Sequence, residues 1–158
     1  MKSIVLSVAF FATLFVQKTN AQDSSKTQQS QLLTTYYSLK DALVSSNANA
    51  AATAAEDLVK AANVADKETV KDETRSALLK DANDIAQSKD LNIQRQKFAN
   101  LSSTMYVLAK TVKLSPGPVY QQYCPMKKAY WLSSEAEIKN PYFGEQMPDC
   151  GVIKHKLP

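Results

Sequence analysis

The chain has 158 residues, with 19 lysines and arginines against 15 aspartates and glutamates, two cysteines and a single histidine. That length suits one domain with a modest core. A net charge of +4 with no basic stripe among aromatics gives no support to a nucleic-acid partner, and one histidine without a glycine-rich phosphate loop leaves few means of building a catalytic triad, a catalytic metal site or nucleotide chemistry. The sequence reads as a non-enzyme.

Lys2, the apolar run Ile4 to Val16 and the small residues Thr19, Asn20 and Ala21 follow the order of a secretory signal peptide over residues 1–21. The run is too short to span a bilayer comfortably, so the expected product is periplasmic or secreted, with no membrane insertion after cleavage. Losing Lys2 and Lys18 without any acid brings the remaining charge closer to neutral. An exported chain with two cysteines makes a disulfide possible. Residues 22–30 are polar without hydrophobic period and are expected to form a flexible leader.

The helical period begins near residue 31. Leu32, Tyr36, Leu39 and Leu43 recur at four, three and four, which places them on one face of a helix. Asn47 reads as a break or cap. The alanine-rich stretch after it repeats the spacing with Ala51, Ala55, Leu58 and Ala62, a methyl-lined face that lets a neighbouring helix approach closely. Thr69 to Ser88 is expected to be a more polar helix with a narrow stripe of Val70, Ala77 or Leu78, Ala82 and Ile85, and Lys71, Asp72, Glu73 and Arg75 on its solvated face. Asp90 caps a fourth helix carrying Phe98, Leu101, Met105, Leu108 and Val112. Four such segments with short connections predict an all-α fold, an antiparallel four-helix bundle over about residues 31–114 of a single domain spanning 31–158.

Beyond Ser115 the composition changes. All six prolines, all three glycines, both cysteines, the tryptophan and the histidine lie there. So many prolines and glycines exclude long helices. Tyr120, Tyr123, Tyr130, Trp131, Tyr142 and Phe143 set the segment apart from a disordered tail. A proline-, glycine- and aromatic-rich loop module over about 115–158 is expected, folded back on the bundle, with a short helix through Glu135 to Ile138 ended by Asn140-Pro141.

The chemistry concentrates in this module. Cys124-Pro125-Met126 and Met147-Pro148-Asp149-Cys150-Gly151 each hold a cysteine and a methionine close in sequence. Thiolate and thioether are soft ligands, and Cys124, Met126, Met147 and Cys150 together would suit Cu(I) or Ag(I) better than Zn(II), which seldom takes thioether. His155 is a further candidate, although its Lys-His-Lys context fits solvent exposure better. The same two cysteines would serve equally as a structural disulfide closing the loop, or the bridge and the metal site would be two redox states of one device. Twenty-six positions apart, they are far from a C-x-x-C redox motif. Glu135 and Glu137, two apart on the expected helix, would face different sides and do not make an acid–base pair.

VYQQYCPM, then WLSSEAEIKNPYFG, then MPDCG resemble the C-terminal signature of a bacterial exported domain of unknown function, and YYSLKDALV with its alanine-rich successor resembles the same family's opening. Similar domains occur alone or attached to CusB-type heavy-metal efflux adaptor subunits. The resemblance implies a periplasmic protein of copper or silver efflux, with Cys124, Met126, Met147 and Cys150 as metal residues and an efflux adaptor as partner. CPM and DCG are also similar to the small heavy-metal-binding segments of other efflux proteins, with Lys127 where those usually carry histidine.

Overall fold

A computed structural model describes residues 21–157. The expected signal peptide therefore lies outside the described residues, except for Ala21. Four helices come first: α1 (Ala21–Val44), α2 (Ala48–Val64), α3 (Asp72–Ala86) and α4 (Leu91–Thr111). Three strands follow, β1 (Val119–Cys124), β2 (Ala129–Ser133) and β3 (Val152–Leu157), with a single 3-10 turn at Gly144–Gln146. No helix among the described residues is long and apolar enough to cross a membrane.

The helices form a bundle-like arrangement whose apolar faces follow the sequence period. Leu32, Tyr36, Leu39 and Leu43 on α1, and Ala51, Ala55, Leu58 and Ala62 on α2, are all buried. On α3 the stripe runs through Leu78, Ala82 and Ile85, and on α4 through Phe98, Leu101, Met105 and Leu108. Residues 22–30, expected to be a leader, belong to α1.

The helix ends are held by specific polar bonds. The α1–α2 turn is a Schellman motif: Ser46 takes the left-handed position (φ 53°), its N–H donates to the Leu43 carbonyl, and the Asn47 N–H donates to the Ala42 carbonyl. Asn47 then caps α2 by accepting from the Ala50 N–H at 3.0 Å, and Asp90 caps α4 by accepting from the Asn92 N–H at 2.7 Å. Arg75 departs from its expected place on a solvated face. Its guanidinium is largely buried and donates to the carbonyls of Ala62, Ala65 and Val70, supplying donors to the end of α2 and to the loop that follows. Gln94, fully buried, donates to the carbonyls of Ala48 and Ser88 and so links α4 to the start of α2 and the end of α3.

The fold is not all-α, because the C-terminal part is a sheet rather than a loop module. β1 and β2 form an antiparallel hairpin, and β3 returns to pair antiparallel with β1, giving the order β2-β1-β3. A bulge between Gln121 and Gln122 interrupts the β1–β3 register. The helix expected at Glu135–Ile138 is a run of bends. Gln122, buried on β1, donates its side-chain amide to the carbonyls of Glu135 and Glu137 at 3.0 Å each, so these acceptors converge on one amide instead of running along a helix axis.

One continuous core joins bundle and sheet. At its centre the Tyr36 ring stacks on Phe98 of α4 at 5.3 Å. The Tyr36 hydroxyl bonds Ser102 Oγ at 2.7 Å and accepts from the Leu132 N–H of β2 at 3.0 Å. Burial pushes the Tyr36 pKa well up, so the hydroxyl keeps its proton. A second junction lies beside it. Arg95 of α4 donates to the Pro141 carbonyl, the Leu43 carbonyl and Ser46 Oγ, and Gly144 fits against this group with φ +55°. A Cβ on Gly144 would lie 2.4 Å from Ser46 Oγ.

Replacing Tyr36 by phenylalanine keeps the ring stack but leaves the buried Leu132 N–H without an acceptor. We expect Tyr36→Phe to lower unfolding stability by about 1–3 kcal/mol in urea denaturation, with far-ultraviolet circular dichroism unchanged. A loss within error of zero would show that this bond does not hold the sheet to the bundle.

Candidate functional site

The two cysteines come together because strands pair, not because they are close in sequence. β1 ends at Cys124, and the pairing of Tyr123 with Val152 brings the start of β3 beside that end. Cys150 stands two residues before Val152. The sulfurs are 3.7 Å apart, and both cysteines are free thiols. Cys124 is fully buried, and Cys150 is half-buried at the surface.

The segment around Cys150 is fixed by Asn140. This fully buried side chain donates from Nδ2 to the Cys150 carbonyl at 2.6 Å, and its Oδ1 accepts from the Tyr142 N–H at 2.8 Å. Its backbone N–H donates to the Pro148 carbonyl at 2.8 Å, and its own carbonyl accepts from the Gly144 N–H. Gly151 then passes closely under Trp131. A Cβ there would meet Trp131 Cη2 at 2.8 Å and Ile138 Cγ2 at 3.0 Å. Trp131 is fully buried, stands edge-on to Tyr142 at 6.0 Å, and its Nε1 has no hydrogen-bond partner among the described residues. The tryptophan thus covers the chain beside Cys150.

The methionines are placed differently. Met126 lies in the β1–β2 turn, and the next amide, of Lys127, donates to Cys124 Sγ at 3.5 Å. Met147 follows the 3-10 turn, and its carbonyl accepts from the Cys150 N–H at 3.3 Å. Both side chains face outward, Met126 at 62% and Met147 at 36% exposure. Of the four expected ligands, therefore, two thiols meet, and Met147 reaches Cys150 through its backbone carbonyl. His155 is elsewhere: it pairs with Gln121 along the strand and stacks on Tyr106 of α4 at 6.3 Å.

Chemically the site offers two thiols in contact and one backbone N–H, of Lys127, aimed at Cys124 Sγ. The hydrogen bond with Cys124, and then burial, push the Cys150 thiol pKa up, while the Met126 amide opposes them. No group of three or more histidine, cysteine or carboxylate side chains able to hold a metal occurs among the described residues. The donor set does not fit tetrahedral Zn(II) or a hard cation. It fits a low-coordinate soft ion between two sulfurs, with solvent-facing thioethers alongside.

Sequence reasoning identified the cysteines but not the residues that position them. Asn140 reads as a helix stop before Pro141, and its burial comes only with the pairing of β3. Gln122 carries no signal that sets it apart in the sequence, and Gly151, which reads there as a turn glycine free to take positive φ, is instead required by the close approach of Trp131.

Fold and site together define the class: a four-helix bundle carrying a small antiparallel sheet, with a thiol pair where β1 meets the approach to β3. The chain belongs to the DUF3347 family, described as proteins of unknown function, whose model matches residues 32–117, more than half of the chain. The match runs from within α1 through α4 and stops short of β1, so both cysteines lie beyond it. No curated protein and no solved structure matches the chain.

Removing the Cys124 thiol removes the foremost cause of the raised Cys150 pKa. A lower pKa means more thiolate at a given pH, so Cys150 in Cys124→Ala should react faster with iodoacetamide at pH 8 than in the reduced native chain. Mass spectrometry of the Cys150 peptide gives the two rates, and an equal or slower rate in the variant would contradict the thiol–thiol hydrogen bond.

Proposed function

We propose that this chain binds one soft monovalent metal ion, Cu(I) or Ag(I), between Cys124 and Cys150, as a non-enzymatic periplasmic or secreted protein of heavy-metal efflux or copper homeostasis. The observation that carries this reading is the 3.7 Å approach of two free thiols. Thiolates favour soft ions, and the scarcity of other ligands favours ions content with few. Met126 and Met147 are the candidate accessory ligands, since Met126 stands two residues from Cys124, the Met147 carbonyl bonds the Cys150 N–H, and each carries a thioether open to solvent. Metal binding would release thiol protons, so affinity should rise with pH. An efflux adaptor as partner, and export itself, rest on the resemblance of the C-terminal motifs and the N-terminal signal pattern.

The same thiol contact favours a second reading, in which oxidation joins Cys124 to Cys150 and the bridged module serves protein interaction alone. Such a bridge would contribute on the order of 3–4 kcal/mol by constraining the unfolded chain.

Competition of the reduced protein for Cu(I) against a chromogenic chelator separates the two. We expect one equivalent bound and quenching of Trp131 fluorescence. Cys124→Ser and Cys150→Ser should each weaken binding by more than about tenfold, the scale of losing 1.4 kcal/mol. Met126→Leu and Met147→Leu report whether the thioethers take part. Failure of the fully reduced protein to compete for Cu(I) would end the metal reading and leave the bridge.

A further inference from the structure

The two outer edges of the sheet are treated differently. On β2 the outward-facing Leu132 N–H donates to the Tyr36 hydroxyl, and the outward-facing Tyr130 carbonyl accepts from the Tyr142 hydroxyl. Two tyrosines therefore close that edge. β3 forms the other edge, and its backbone makes no hydrogen bonds among the described residues apart from those to β1. All six residues from Val152 to Leu157 are at least partly exposed, including the apolar Val152 and Ile153.

This open edge is basic. Lys154 Nζ rests 5.3 Å from the Tyr123 ring centre and Lys156 Nζ 5.7 Å from that of Tyr120. Lys110 of α4 lies over Tyr106, the ring on which His155 stacks. Like several other surface lysines, Lys110, Lys154 and Lys156 form no ion pair among the described residues, and what sets these three apart is the aromatic ring beneath each. Aromatic rings hold these three cations in place without neutralising them.

We propose that β3 is a docking edge for an extended acidic segment of another protein, which adds as a fourth strand and sets its carboxylates beside Lys154 and Lys156. An open edge supplies main-chain donors and acceptors for strand addition, and side chains set the choice of partner. Charge disfavours a second copy of this chain in the symmetric register centred on His155. Antiparallel self-pairing centred on His155 would set Lys154 against Lys156, and like charges directly opposite destabilise a strand pair. Lysines on an edge also guard against self-aggregation, and the same charges favour a carboxylate-bearing strand. The inference goes beyond the thiol pair and does not depend on it, since the test keeps both cysteines present and reduced throughout.

The probe is a fluorescent ten-residue peptide alternating glutamate and valine, titrated into the full chain and followed by anisotropy. Its controls are the same peptide N-methylated at alternate residues and a lysine–valine counterpart. Saturable binding of the acidic peptide is expected, at least tenfold weaker for the N-methylated form, with slowed amide hydrogen exchange confined to β3. The exposed double variant Lys154→Glu/Lys156→Glu, checked for fold by circular dichroism, should lose the acidic peptide and gain the basic one. Absence of binding, equal binding of the N-methylated peptide, an unchanged preference in the double variant, or dimerisation of the native chain through β3 in sedimentation would each overturn the proposal.

Discussion

The Tyr36 hydroxyl is the point on which the two halves of the molecule depend. It sits in the core between α1, α4 and β2, bonded to a serine side chain and to a strand amide. A buried amide without an acceptor costs free energy on the order of 1–3 kcal/mol, a large share of the margin by which a domain of this size is stable. The ring gives the contact its geometry, because stacking on Phe98 leaves the hydroxyl little freedom of direction. Arg95, a turn earlier on α4, supports the same seam by joining the end of α1 to the segment that leads to the thiols.

The bundle was largely legible in the sequence, and the sheet was not. Leu32, Tyr36, Leu39 and Leu43 follow a helical period because one face of α1 is buried along its length. The strands lack the matching signal. In β1, Gln121 and Gln122 are adjacent and both buried, one on each side of the bulge in the β1–β3 register, so no clean alternation appears. β3 shows none either, since it is an edge exposed from Val152 to Lys156 and only partly covered at Leu157. Prolines and glycines excluded long helices there, yet they do not distinguish a loop from short strands joined by turns. Arg75 was misread for a related reason. Its spacing puts it among charged residues, but the open carbonyls at the end of α2 draw it inward.

The candidate site shows the same division. Ligand chemistry is visible in residue type, so Cys124 and Cys150 stand out in the sequence. Their meeting depends on strand pairing and on the hydrogen bonds that Asn140 makes through side chain and backbone. These groups sit behind the thiols and determine where Cys150 can lie. The arrangement puts one thiol inside and one at the surface, so the pair is approached from the Cys150 side.

The family match ends at residue 117, but the core does not. Trp131, Leu132 and Tyr142 belong to the same apolar cluster as Leu32, Leu58 and Phe98. A fragment cut where the match stops would leave the Tyr36 hydroxyl without its strand partner and uncover apolar surface along α1 and α4. The limit of detectable kinship is therefore not a limit of autonomous folding. The bundle and the cysteine-bearing sheet share one interior, and anything that pulls on Cys150 acts on a structure continuous with α1.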